Sequence, residues 1–114
     1  MLEPIETTEL CDIELVPQAI IKRPISYFDG RFGIHVVSDH DDLDTYQGAA
    51  LLLNRQLRFA LRHYRGYPSD TTTIYLSREL SDLNEITGIV EKILRELELP
   101  ASAISWQRSD SPSL

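Results

Sequence analysis

The densest set of groups able to do chemistry is Asp39-His40-Asp41-Asp42-Leu43-Asp44, four carboxylates and an imidazole within six residues. Carboxylates with one imidazole can hold a divalent ion, and so oxygen-rich a set favours Mg2+ or Mn2+ over Zn2+. Asp39, His40 and Asp42, joined by Glu79 from a loop read at the same sheet edge, are the residues a metal-assisted hydrolase or nuclease would use. The same acids also have a plain structural role. At the start of a helix they cap free amides and meet the positive end of its dipole. Capping is the preferred reading, so no catalytic residue, metal or cofactor is expected.

Residues 45–67 hold four arginines, Arg55, Arg58, Arg62 and Arg65, and no acid. On a helix they share one side, a basic ridge with His63, Tyr64 and Tyr67 nearby. Phosphate or single-stranded nucleic acid is the chemistry such a ridge serves. A net charge of −7 opposes generic binding to DNA or anionic membrane. Nor does any glycine-rich phosphate loop accompany the ridge. A solvated face answering acids elsewhere is preferred, and nucleic acid is not expected as a partner.

Leu51, Leu52 and Phe59 lie on this arginine side, away from an apolar stripe formed by Tyr46, Ala49, Ala50, Leu53, Leu57, Ala60, Leu61 and Tyr64. A helix apolar on two faces is normally buried on both. Leu51, Leu52, Arg55, Phe59 and Arg62 are therefore the expected partner-binding residues, in a homodimer or against another protein. The alternative is internal. Residues 1–15 carry five acids and no base, and they can fold over this face with their carboxylates meeting the arginines.

The elements that must position these groups are read from periodicity. The stripe recurs at three- and four-residue steps and predicts a long helix over 42–65, ended by Gly66. Residues 18–28 and 31–38 are β-rich and flank Asp29-Gly30, the pattern of a hairpin turn, with Pro24 marking an edge strand. Thr71 to Ser77 alternates as a strand. Asp82 with Glu85 opens a second helix whose buried side is Ile86, Ile89, Val90, Ile93 and Leu97, followed by Pro100. Residues 103–107 make a last strand. The order is β-β-α-β-α-β, an α+β fold with a mixed sheet, antiparallel at the hairpin and parallel at the crossovers. Both helices lie on one face, and a ferredoxin-like arrangement is the alternative.

At 114 residues the chain fits one domain, 1–114, with loose ends at 1–11 and 108–114. Its 42% hydrophobic content suffices for a core without metal or disulfide. The single cysteine, Cys11, fits a reducing compartment. Acids stand where a secretion signal carries bases, and the run Ala49–Leu53 is far short of the roughly 20 apolar residues that span a bilayer. A soluble, cytoplasmic protein is expected. His35, Ser77, Ser81 and the threonines at 71–73 match no catalytic spacing. The leading reading is a small non-enzymatic interaction or regulatory module using the second face of the 42–65 helix.

Overall fold

The computed structural model describes residues 1–40 and 44–108. The strands are β1 (Leu2–Ile5), β2 (Leu15–Ile21), β3 (Val37–His40), β4 (Thr45–Leu53), β5 (Leu57–Tyr64), β6 (Thr72–Ser77) and β7 (Ile104–Gln107), and helix α1 (Leu83–Glu96) joins the last two. They form one sheet in the order β1-β4-β5-β6-β2-β7, with β3 lying end to end with β1 along the same edge of β4. Every strand pair is antiparallel. This overturns the mixed sheet with two helices on one face. It also overturns the ferredoxin-like alternative, since α1 is the one α-helix among the described residues.

The largest correction is the expected 42–65 helix, which is a β-hairpin. Tyr46 pairs with Tyr64, Ala50 with Ala60 and Leu53 with Leu57. The chain reverses at Asn54-Arg55, both in the left-handed region at φ 52° and 62°, with the Gln56 amide donating to the Leu53 carbonyl at 3.0 Å. Two consecutive positive φ values define the mirror-image turn whose twist matches paired strands, and asparagine tolerates that region well. Residues 57–64 alternate cleanly, with Leu57, Phe59 and Leu61 on one face and Arg58, Ala60, Arg62 and Tyr64 on the other. Residues four apart share a face in a strand as well as in a helix, which is how the stripe imitated helical spacing.

The expected hairpin at Asp29-Gly30 is also replaced. β2 pairs with β6 and β7, whereas β3 pairs with β4. Between them, residues 22–36 form a loop with a 3-10 turn at Ile25–Tyr27, and its Ile25, Phe28 and Ile34 enter the main core. α1 covers the same sheet face with Ile86, Val90, Ile93, Leu94 and Leu97. The loop thus takes the covering role expected of a first helix. β6, α1 and β7 stand where the sequence placed them. The Asp82 carboxylate caps α1 by accepting from the Asn84 amide at 2.9 Å, and Glu98 at φ 59° turns the chain out before Pro100.

Residues 1–11, expected to be a loose end, supply β1 and a 3-10 turn at Thr7–Leu10. No helix among the described residues is long and apolar enough to cross a membrane.

Candidate functional site

Directly paired residues of an antiparallel ladder point to the same side of the sheet. The registers therefore place Ala49, Leu61, Ile74 and Ala19 in one row on the helix-covered face. The opposite, outer face carries the row Val37, Gly48, Arg62, Thr73, Ile20 and Trp106, across six strands. Flanking it are Asp39-Tyr46-Tyr64 on one side and Ala50-Ala60-Tyr75 on the other.

Half of this outer face is covered from within. Residues 6–13 run over it as a strap, pressing the buried Leu10 against Ala50, Ala60 and Tyr75, with Ile5, Ile13 and Leu15 around them. Arg58 fastens the strap. Its Nη1 donates to the Glu9 carbonyl at 2.7 Å and to Asp12 Oδ1 at 3.0 Å. Nη2 reaches Asp12 Oδ2 at 3.4 Å. Hydrogen bonding by the Arg58 guanidinium holds the Asp12 carboxyl below its ordinary value. Of the internal alternative, the meeting of N-terminal acids with arginines is present, Glu3 with Arg55 and Asp12 with Arg58, but the strap covers Ala50, Ala60 and Tyr75 and not Leu51 and Phe59, which belong to the main core.

The strap does not extend over the other half of the face, which holds a group of tyrosines around Arg62. Tyr46 and Tyr64 pack with ring centroids 5.1 Å apart, and Tyr64 is 5.9 Å from Tyr75 and 6.2 Å from Tyr67. Burial pushes the Tyr75 hydroxyl well above the usual phenol range, and Tyr67 and Tyr64 add to the effect. It therefore stays protonated at any physiological pH. Arg62 lies half-buried among these rings, its guanidinium 4.3 Å from the Tyr46 centroid and 5.7 Å from that of Tyr75. Its Nη1 donates to the Tyr64 hydroxyl at 3.1 Å. Gly48 makes room for it: a Cβ there would sit 2.6 Å from the Leu61 carbonyl oxygen and 2.9 Å from Arg62 Cγ. Tyr67 (45% exposed), Val37 and Trp106 (43% each) rim the area. Thr7, Thr8, Cys11, Asp39, His40, Tyr46 and Arg62 line a cleft of about 480 Å3 between this half and the strap.

The residues expected to bind a partner divide among these places. Leu51 and Phe59 pair with each other on the helix-covered face and are fully buried. Leu52 lies outward, opposite Arg58. Arg55 occupies the hairpin turn and meets Glu3 at 3.3 Å. Arg65 meets Asp44 at 3.8 Å. Arg62 differs from its three neighbours in having no carboxylate partner among the described residues.

The residues that the alternative metal-assisted reading would use separate in the same way. Asp39 and His40 sit in the cleft beside Arg62, whereas Glu79 follows β6 at its other end, near Asp12, Glu14 and Arg78. Asp42 falls outside the described residues. Among those described, no group of three or more His, Cys, Asp or Glu side chains could hold a metal ion. The tyrosines at 46, 64, 67 and 75 and the exposed Trp106 were missed as a set. Only the strand period of residues 57–64 pointed toward their common face.

No protein-family model matches the chain, nor does any curated protein or solved structure.

Proposed function

We propose that the chain is a non-enzymatic protein-interaction module. Its contact surface is the half of the outer sheet face beyond the strap rather than a helix. The observation that carries this reading is the concentration of Tyr67, Val37 and Trp106, exposed on one side of the sheet, around the half-buried Arg62 and its tyrosines. Tyrosine, tryptophan and arginine are the residues that dominate binding hot spots, because they bury large rigid areas while keeping polar tips. Strands position Arg62, Val37 and Trp106, and the turn after β5 sets Tyr67 against Tyr64, so the surface needs little ordering when it binds.

The deciding comparison is between the wild-type protein and a Tyr67→Asp/Trp106→Asp double variant. Both changes are at largely exposed positions, so circular dichroism is expected to stay as it is, with a small fall in melting temperature where the Tyr67 ring leaves Tyr64. Sedimentation velocity and affinity capture should show that the wild type associates, with itself or with another protein, and that the variant does not. An unchanged set of associations in the folded variant would overturn the reading.

A further inference from the structure

We infer that the cleft at Arg62 receives a single carboxylate, presented as an acidic side chain of the protein that docks on this face. This deepens the proposed function and rests on it. Arg55, Arg58 and Arg65 are each matched to a carboxylate of this chain, by Glu3, Asp12 and Asp44. Arg62 is half-buried, and among the described residues its side chain donates to a phenol, Tyr64, and to no anion. A cation withdrawn from water is costly unless it is paired. The Tyr46 ring at 4.3 Å offers its face but neutralises no charge. The stacked guanidinium is held in place, and N–H groups not used by Tyr64 remain to grip a carboxylate in the planar two-point manner.

The surroundings select the charge of the ligand. Asp39 shares the cleft, with its Oδ1 turned to its own neighbour, accepting from the His40 amide at 2.8 Å. The chain as a whole carries −7. A phosphate dianion or a polyanion meets more repulsion here than a lone carboxylate does. Thr7 and Thr8 line the cleft on the strap side, and a threonine hydroxyl is a neutral donor of the kind one carboxylate accepts from.

The test follows side-chain and backbone resonances by NMR while the wild-type protein is titrated with N-acetyl-aspartate amide, with inorganic phosphate, and with sodium chloride at matched ionic strength. The expected result is a saturable shift at the Arg62 Nε–H and at Tyr46 and Tyr64, at millimolar carboxylate. Phosphate should bind at least tenfold more weakly and chloride should give no saturation. Arg62→Met, which keeps the aliphatic stem, should abolish the shift, and Arg62→Lys should weaken it. No saturable shift, a shift that survives Arg62→Met, or tighter binding of phosphate would each overturn the inference. Loss of the carboxylate response together with loss of association in the Tyr67/Trp106 variant would leave the docking face standing and remove only its carboxylate anchor.

Discussion

Gln18 lies wholly inside the protein, and neither its amide oxygen nor its amide nitrogen has a hydrogen-bond partner among the described residues. It is the extra residue of a bulge, since Pro17 pairs with Tyr75 and Ala19 with Ile74. Leaving a buried amide unsatisfied costs about 1–3 kcal/mol, whereas an apolar side chain of similar size carries no such penalty. Gln18→Met should therefore raise unfolding stability by about 1–2 kcal/mol in urea titration, and a lower midpoint would mean the amide is bonded in solution. Nothing in the sequence marked this position, because a glutamine between a proline and an alanine reads as exposed. Gly48 was equally silent. Its role comes from Arg62 on the neighbouring strand, a contact across the hairpin that local pattern does not record. The Asp39-His40 cluster was legible as a concentration of charge, but its reach toward Glu79 depended on a parallel sheet that does not exist.

At the scale of elements, the second half of the chain was readable and the first half was not. The Thr72–Ser77 strand, the helix capped by Asp82 and the final strand have strong local signals: alternation, a cap, and a proline after the end. Residues 45–53 are apolar on both faces, so neither period stands out, and the arginines at 58 and 62 fit a helix and a strand alike. The hairpin turn offers a test with opposite signs for the two readings. Arg55 sits at φ 62°, a conformation that costs an ordinary residue about 1–2 kcal/mol and glycine nothing. Its ion pair with Glu3 is exposed and adds little. Arg55→Gly should leave stability unchanged or raise it by about 1 kcal/mol in thermal or urea unfolding. In the middle of a helix the same change would cost about 1 kcal/mol.

Across the whole molecule, the two faces of the sheet are secured very differently. One is sealed by α1 and the 22–36 loop over a large apolar cluster. The other has a small cluster under a strap that Arg58 fastens through Asp12. Because the Asp12 carboxyl is held below its ordinary value of 3.8, its ion pair contributes at all pH above that value and is lost as pH falls through the lowered one. On acidification the amides of residues 6–13 should lose protection from hydrogen exchange while α1 keeps its own. Simultaneous loss in both regions would mean the strap is bound into the main cooperative unit.

The position of β2 has a consequence in time as well as in space. It is made early, yet its neighbours are β6 and β7, so Ile20 must wait for both Thr73 and Trp106. β1 waits similarly for the far end of β4, where Leu2 meets Leu53. As the chain emerges from a ribosome, the β4-β5-β6 meander can assemble from neighbouring segments and β1 can join β4 once Leu53 is out, but β2 stays without its first partner until β6 is made and without its second until β7 is made. Closure over such separations is slow, because chain entropy is spent before the contacts that repay it exist. The final step is then the seating of β2 between strands made long after it, and a release of the chain before residue 107 would leave that place unfilled.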